Sequence, residues 1–377
     1  MRAAVCLTAA VLTVGLPVTL QKGLSTVSFT AYAADDEPYT EGSDSQFYYK
    51  KYSDRIVITS GKSINSDSLT IPDTIEGLPV TEIDIYAFQY LDIKSLTLPA
   101  SLKTIGPYAF SYCKNLTSVT LPDSIQKIGL RVFEKCPALA EVNFPDHLVE
   151  TAEYTFDETP WLTAQRAKDP LVIVNGAVID GRTCTGEVKV PAGVKYVAAG
   201  AFEHNEKITS VVFPSSVSKI NDNAFWYCSN LTSAELNGST SLAFGVFAAC
   251  NKLTDLKLSG KLTKIDDYAF CDNNATATIT FYGSESTWNS VDKPSNDPFL
   301  SRARMVFDES HVDPGDDIAG DLNGDGACNS ADAVLLQKYL LTTGTLTTDQ
   351  AQIADMNKDG KLSASDLTLL KRSGLSD

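Results

Sequence analysis

A motif of about 23 residues, a period typical of solenoid proteins, recurs through most of this 377-residue chain. Copies at 94–116, 117–139 and 209–231 read as apolar-x-apolar-Pro, a short linker, Ile or Val, then Ala-Phe, Cys and Leu. Their anchor residues are Phe88, Phe110, Phe133, Phe156, Phe202, Phe225, Phe247 and Phe270. One copy lacks its phenylalanine, and we expect Ile179 to occupy that position. The repeat therefore predicts stacked, similar coils.

Each copy of the motif can supply one coil. In LTSVTLP (116–122) apolar and polar residues alternate, which predicts a short strand with one inward face. The proline ends the strand because it cannot donate to the ladder. Coils cannot bury their apolar residues alone, so we expect about nine of them, capped by 47–61 and 276–291. At 232–275, where Asn237 and Ser259 replace the proline, we expect looser coils.

This repeat resembles the bacterial leucine-rich repeats of the BspA-like type over about residues 47–307. The resemblance implies a β-rich leucine-rich-repeat solenoid of short parallel strands plus turns. It also implies a surface that binds a protein or glycan ligand, and it implies no catalytic residues.

Cysteines take part in the repeat. One stands three residues after the anchor in four copies, at Cys113, Cys136, Cys228 and Cys250. Equal positions in successive coils lie about 4.8 Å apart, whereas the β-carbons of a disulfide lie about 3.8 Å apart. We therefore expect buried free thiols there, the alternative being the disulfides that an exported chain permits. Three others have no evident partner, namely Cys184, Cys271 and Cys328.

The first 33 residues differ from the rest. Arg2 precedes a long apolar run, which is followed by a polar stretch that ends in AYA. This predicts a signal peptide at 1–33, whereas a membrane anchor is disfavoured because Gly15 and Pro17 interrupt the run. A lead-in at 34–46 follows. We therefore expect an extracellular protein without membrane insertion.

Composition excludes some functions. A net charge of −16 disfavours nucleic acid and anionic lipid, which need a basic surface. The histidines have no spacing typical of zinc sites, and no catalytic motif stands out. Tyrosines lie two residues from several anchors, at Tyr86, Tyr90, Tyr108, Tyr112, Tyr154, Tyr227 and Tyr268. They could form a platform for glycan rings or a peptide, or simply cover the shoulder of the solenoid.

After an acidic linker at 308–319, two twelve-residue loops lie 34 residues apart. The first offers ligands from Asp321, Asn323, Asp325, the Ala327 carbonyl, Asn329 and Asp332. The second offers Asp355, Asn357, Asp359, the Lys361 carbonyl, Ser363 and Asp366. Oxygen donors at alternate positions, with glycine at position six, are typical of calcium loops. We therefore predict two calcium ions.

These loops differ from ordinary EF-hands, because position 12 is aspartate and we expect no helix before either loop. The pair of loop–helix units at 320–377 resembles a type I dockerin, a small all-α calcium-binding module. The resemblance implies a cohesin domain of a scaffoldin as partner. It places the contacts at Ser330, Ala331, Gln337, Lys338, Ala364, Ser365, Lys371 and Arg372.

Together these features predict a non-catalytic secreted binding or adhesion component. Its dockerin would hold it, through calcium-dependent cohesin binding, in an extracellular cellulosome-type complex that degrades polysaccharide. The alternatives are an enzyme acting on plant polysaccharide on the repeat scaffold, and a structural spacer or inhibitor of neighbouring proteins.

Overall fold

The structure is a computed structural model that describes residues 37–311 except 63 and 65, residues 320–323, and residues 328–373 except 347, 358 and 359. The predicted signal peptide lies outside these residues. The chain divides into two compact units, the first ending at Ala164 and the second beginning at Gln165. Within the part described, no helix has the length and apolar character needed to cross a membrane.

Short strands build the first unit. They are β1 (Thr40–Ser43), β2 (Phe47–Lys51), β3 (Ile56–Gly61), β4 (Ser68–Thr70), β5 (Thr74–Ile75), β6 (Leu78–Ile83), β7 (Ser95–Thr97), β8 (Thr104–Ile105), β9 (Ser118–Thr120), β10 (Lys127–Ile128), β11 (Glu141–Asn143) and β12 (Glu150–Thr151). The main sheet has the order β1-β2-β3-β6-β8-β10-β12. Its first three strands pair antiparallel and β3 onward pair parallel, so β1 to β3 cap the stack.

Helix α1 (Pro160–Lys168) leads into the second unit. The strands there are β13 (Val172–Val174), β14 (Ala177–Asp180), β15 (Gly186–Lys189), β16 (Tyr196–Val197), β17 (Ile208–Phe213), β18 (Lys219–Ile220), β19 (Ser233–Leu236), β20 (Ser241–Leu242), β21 (Asp255–Ser259), β22 (Lys264–Ile265), β23 (Thr278–Tyr282) and β24 (Arg304–Phe307). Helices α2 (Glu285–Ser290) and α3 (Pro298–Arg302) precede the last strand. Two sheets form, β13-β14-β16-β18-β20-β22 and β15-β17-β19-β21-β23-β24.

The predicted fold class is confirmed, since the fold is a leucine-rich-repeat β-solenoid, but it has about 11 turns where about nine coils were expected. Successive coils meet through parallel strands in register, for example Ile105 against Ile128. In the turn around each anchor, every second residue donates a backbone hydrogen bond to the next coil. Examples are Tyr86 N–H to Pro107 O (3.0 Å), Phe88 N–H to Ala109 O (2.9 Å) and Tyr90 N–H to Ser111 O (2.9 Å). Each coil thus covers the next one and satisfies its backbone groups.

Anchor rings form the centre of each unit. In the first unit, the rings from Phe88 to Phe156 stack with centroids 5.4 to 5.7 Å apart. In the second unit, the stack from Phe202 to Phe270 continues onto Phe299 of α3 at 4.5 Å. Helix α3 therefore closes the core with a ring that the repeat motif does not supply.

The assignment of Ile179 to an anchor position is wrong. Ile179 lies in β14 directly after Val178, which pairs with Val197, whereas Phe202 stands five residues beyond its own strand residue. The space belongs to Gly181 instead, because a Cβ there would come within 2.1 Å of the Phe202 ring. Where the phenylalanine is missing, Gly181 therefore leaves room for the Phe202 ring of the next coil to extend over it.

The coils at 232–275 are not loose. Strands β19 and β21 have four and five residues and pair in continuous register with their neighbours. The buried Asn237 side chain donates from Nδ2 to Phe213 O at 3.0 Å. An amide can therefore hold adjacent coils where proline would have ended the strand.

The expectation for the repeat cysteines is confirmed. Cys113, Cys136, Cys228 and Cys250 are fully buried free thiols. Each Sγ donates to the carbonyl of an anchor phenylalanine in the preceding coil, at 3.1 to 3.4 Å. Cys184, Cys271 and Cys328 likewise form no disulfide within the described part of the chain. The repeat thus uses cysteine as a small apolar side chain that can satisfy one backbone oxygen.

Candidate functional site

Three helices surround the predicted calcium loops: α4 (Ser330–Leu340), α5 (Thr348–Ala354) and α6 (Ala364–Ser373). Leu322, Ala333, Leu336, Ala354 and Leu370 form their core. Gly320 donates its N–H to Ile353 O at 2.8 Å and has a φ of +89°. A Cβ there would lie 2.7 Å from Cys328 Sγ, so this position requires glycine. The two loop–helix halves therefore share one core.

In the first loop, Asp332 ties together residues that are distant in sequence. Its carboxylate is fully buried and accepts from Asn323 N–H and from Asn329 N–H, each at 2.8 Å. The Asn329 side chain in turn accepts from Ala331 N–H at 2.8 Å, completing a capping box at the start of α4. Asp321 is buried too. The predicted ligands Asp325 and Ala327 lie outside the described residues.

In the second loop, Asp366 plays the equivalent part. It is fully buried and accepts from Asn357 N–H at 3.3 Å and from Ser363 N–H at 2.9 Å. Asp355 Oδ2 accepts from the N–H of Gly360, whose φ is +79° as expected at position six. The predicted ligand Asp359 lies outside the described residues, and Lys361 is exposed at position seven. The two loops thus share one arrangement around position 12.

The expectation that no helix precedes either loop is wrong for the second. Helix α5 ends at Ala354, directly before Asp355. It has only seven residues, so it depends on packing rather than on intrinsic propensity. Ala354 is fully buried in the shared core.

The described ligands suit a calcium ion. Asp332 and Asp366 are buried carboxylates whose hydrogen-bond partners are neutral backbone amides and one serine hydroxyl. Burying a carboxylate among neutral groups costs free energy, which a bound cation would offset. The donors are oxygens, which calcium prefers.

Every residue predicted to contact cohesin is exposed in the structure. On α4 these are Ser330, Ala331, Gln337 and Lys338, and on α6 they are Ala364, Ser365, Lys371 and Arg372. Two apolar residues on or beside α4 share this exposure, Val334 at 48% and Leu341 at 61%. The α4 surface is therefore partly apolar.

In the solenoid, two columns of residues have left-handed backbone. They stand two residues before and two residues after each anchor, with φ between 54° and 64°. The leading column comprises Tyr86, Tyr108, Arg131, Tyr154, Gly200, Asn223, Gly245 and Tyr268. The trailing column comprises Tyr90, Tyr112, Lys135, Glu158, His204, Tyr227, Ala249 and Asp272. Since aromatic, charged, amide and small residues all occupy these columns, the backbone does not require tyrosine there.

Four tyrosines of adjacent coils form what we call the tyrosine array: Tyr86, Tyr90, Tyr108 and Tyr112. The Tyr86 and Tyr108 rings stack with centroids 5.0 Å apart, and those of Tyr90 and Tyr112 lie 4.7 Å apart. Tyr90 is 67% exposed and Tyr86 is 40% exposed. The sequence identifies these tyrosines. It does not show that they pack in pairs or that the Tyr90 ring is the most exposed.

One cluster of acidic groups in the solenoid lies beside basic side chains. Glu134, Asp157 and Glu158 place carboxylate oxygens within 4.8 Å of one another. Arg131 pairs with Glu134, and Lys135 lies 3.6 Å from Glu158. This group is therefore largely neutralised by the protein itself.

Comparisons with known proteins agree with these features. The sequence profile of the BspA type leucine rich repeat region matches in six copies over residues 81–167 and 181–290. That of the dockerin type I domain matches residues 319–373. A search of curated proteins finds no match.

Solved structures with similar folds are also found. A leucine-rich-repeat protein of T. pallidum is 27% identical, with 57% of this chain and 91% of that chain covered and a TM-score of 0.32. A leucine rich cell surface protein from Faecalibacterium prausnitzii is 20% identical, with 70% and 100% covered and a TM-score of 0.32. A leucine-rich repeat protein from Bacteroides ovatus is 17% identical, with 73% and 78% covered and a TM-score of 0.32.

The repeat profile alone matches more than half of the chain, and its coils are those seen in the structure. The dockerin profile matches the region of the paired loops and helices α4 to α6. Both matched families are non-catalytic modules. The chain therefore belongs to the BspA-type leucine-rich-repeat family and ends in a type I dockerin domain.

Proposed function

We propose that this protein is a secreted, non-catalytic binding component that docks through its dockerin into an extracellular cellulosome-type complex. Docking would use calcium-dependent binding to the cohesin domain of a scaffoldin. The observation that supports this most is the pair of buried position-12 aspartates, Asp332 and Asp366, each tying its own loop together beside an exposed helix. The solenoid would then present a protein or glycan ligand to the complex.

Each segment of the chain would have its own part in this role. Residues 1–33 direct export and are removed, 34–46 lead into the solenoid at 47–307, and 308–319 link it to the dockerin at 320–377. A cell-surface location would follow from binding to the scaffoldin.

Two calcium ions would be held, one in each loop. The first would be bound by Asp321, Asn323, Asp325, Asn329 and Asp332 with the Ala327 carbonyl, and the second by Asp355, Asn357, Asp359, Ser363 and Asp366 with the Lys361 carbonyl. Bound calcium supplies the positive charge that these carboxylates need when they are brought together. Calcium binding would thus stabilise the folded module and its docking face.

Docking itself is assigned to the exposed residues of α4 and α6. Ser330, Ala331, Gln337 and Lys338 would form the face on the first helix, and Ala364, Ser365, Lys371 and Arg372 the face on the second. All eight are accessible to a partner.

Calorimetry of the full chain against a panel of cohesins tests the proposal. We expect tight binding with calcium and none after a chelator is added. Lys338→Ala and Arg372→Ala should weaken binding, whereas Lys189→Ala on the solenoid surface, as a matched control, should not. Calcium uptake without binding to any cohesin would contradict the docking role.

A further inference from the structure

The tyrosine array occupies a surface that the repeat does not require to be aromatic. The same backbone positions hold Gly200, Gly245 and Ala249 in other coils, at nearly the same φ. A non-glycine residue in this left-handed region costs about 1 kcal/mol or more, so tyrosine is not chosen for the turn. Burial does not explain it either, since Tyr90 is 67% exposed.

The array is also held rigid. Each ring packs on a ring of the neighbouring coil, and the Tyr112 hydroxyl accepts from Lys135 Nζ at 3.1 Å. This bond raises the pKa of Lys135, which keeps its positive charge beside the Tyr112 ring. Rigid tyrosines lose little conformational entropy when a ligand binds, as in antibody combining sites.

The Tyr90 ring remains largely accessible, at 67% exposure. Tyr90 begins the trailing column, and among the residues that the structure describes its aromatic ring contact is with Tyr112. At the other end of the pair, Lys135 covers Tyr112 with Nζ 5.2 Å from the ring centroid. A ligand with an apolar face can therefore stack on Tyr90, while its polar groups can reach the half-buried Gln89 amide, whose Nε2 donates to the fully buried Ser111 hydroxyl at 2.9 Å.

The charges around the array are paired. Lys50 lies 2.7 Å from Asp84, Lys114 lies 3.7 Å from Asp92, and Lys135 lies 3.6 Å from Glu158. Arg131, beside Tyr108, pairs with Glu134. The basic side chains named here are thus each paired with a carboxylate, while Asp157 and Glu153 add acidic groups beside Glu134 and Tyr108, so a neutral ligand complements this border better than an acidic polymer.

We propose that the tyrosine array binds a neutral polysaccharide chain, with one pyranose ring stacked on the exposed ring of Tyr90 and the chain crossing towards Tyr86. Pyranose rings have an apolar C–H face and hydroxyl groups at the rim, which match an aromatic ring bordered by the Gln89 amide and the phenol hydroxyls of the array. A proline-rich peptide fits less well, since it inserts between aromatic side chains and the paired rings here already touch.

This inference names the ligand class for the binding role proposed above and rests on that role for its setting. The test is affinity electrophoresis of the full chain in gels containing xyloglucan or mixed-linkage β-glucan, with polygalacturonate as the acidic comparison. We expect retardation by the neutral glycans. Tyr90→Ala should weaken it by roughly tenfold or more, as for a central aromatic contact.

Three further variants make the test specific. Tyr90→Phe keeps the ring and should stay within about threefold of the parent chain. Tyr227→Ala is the matched control, because Tyr227 occupies the same column at a φ of 62° and is 43% exposed. It should leave retardation unchanged, and Tyr86→Ala combined with Tyr90→Ala should abolish it. Circular dichroism verifies that each variant is folded.

Several outcomes would overturn the inference: no retardation by a neutral glycan, equal retardation of Tyr90→Ala, or binding of a proline-rich peptide alone. Cohesin binding is measured on the same preparations. Loss of glycan binding with intact cohesin binding would remove this inference and leave docking in place. Glycan binding without cohesin binding would remove the docking role and leave this inference in place.

Discussion

Asp332 and Asn329 cap the first dockerin helix jointly, with Asp332 Oδ2 accepting from Asn329 N–H at 2.8 Å while Asn329 Oδ1 accepts from Ala331 N–H. The same carboxylate reaches Asn323 N–H at the other end of the loop. One buried side chain therefore serves both the helix and the candidate calcium site.

Asp332→Asn should reduce calcium affinity of the full chain by roughly tenfold or more, because ligand charge sets affinity in such loops. It should also lower the calcium-dependent gain in thermal stability. Calcium titration followed by circular dichroism measures both effects. Asp123→Asn, at an exposed solenoid position, serves as the control. Unchanged affinity in Asp332→Asn would remove Asp332 from the site.

Asp180→Ala should destabilise the second unit by about 3–5 kcal/mol, the usual result of breaking a buried ion pair. Asp180 is 2% exposed and accepts from Arg166 at 2.7 and 3.0 Å and from Arg182 at 2.8 Å. Urea unfolding measures the change. Lys189→Ala removes an exposed pair with Glu187 and should change stability by less than about 1 kcal/mol. Equal effects would contradict a special role for Asp180.

Gly181→Ala should cost about 1–3 kcal/mol by overpacking, because its Cβ would overlap the Phe202 ring. Gly193→Ala is the comparison. Its φ is +84° but nothing lies within 4 Å of the new Cβ, so only backbone strain of about 1 kcal/mol applies. Thermal unfolding of the two variants shows which substitution lowers stability more. Phe202→Leu should relieve the cost of Gly181→Ala in a double-mutant cycle, and additivity would contradict the steric explanation.

The protein should lose stability as the pH rises from about 9 to 12. Burial raises the pKa of Cys250 from 9.0 to about 12, so the unfolded thiol ionises first and favours unfolding over this interval. Below pH 9 the Cys250 thiol is neutral in the folded and the unfolded state, so its contribution to the free energy of unfolding is fully present. Cys250→Ala should flatten the alkaline part of the stability profile, measured by urea unfolding at several pH values. Cys271→Ala, at a partly exposed position, should leave the slope unchanged. Because the pKa values of Cys113, Cys184 and Cys228 are raised as well, Cys250→Ala should remove only part of the slope, and equal slopes in the two variants would exclude a contribution from Cys250.

Much of the fold could be predicted from the sequence because it repeats. The anchor phenylalanines and the buried thiols of Cys113, Cys136, Cys228 and Cys250 occupy fixed places in the motif, and the structure places them as expected. Ile179 was misplaced because a motif shows that a residue is missing, whereas only packing shows that Gly181 makes room for Phe202.

Other features have no local signal. Helix α5 is too short to be predicted from propensity, and it exists because Ala354 packs in the shared core. The left-handed columns hold residues as different as Tyr90, Lys135 and Ala249, so no residue type marks them. For the candidate site, the sequence supplied the ligand spacing. The capping role of Asp332 required the geometry.

The coil-to-coil hydrogen bonds have a mechanical consequence. Bonds such as Phe88 N–H to Ala109 O join one coil to the next, so they run along the direction of stacking. When the chain is pulled in that direction from the end of a unit, the bonds of the terminal coil boundary open one after another, so the terminal coil peels away first. A force across the stack would have to shear all the bonds of a boundary together. Each unit is therefore weak to tension along its stack and stiff to force from the side.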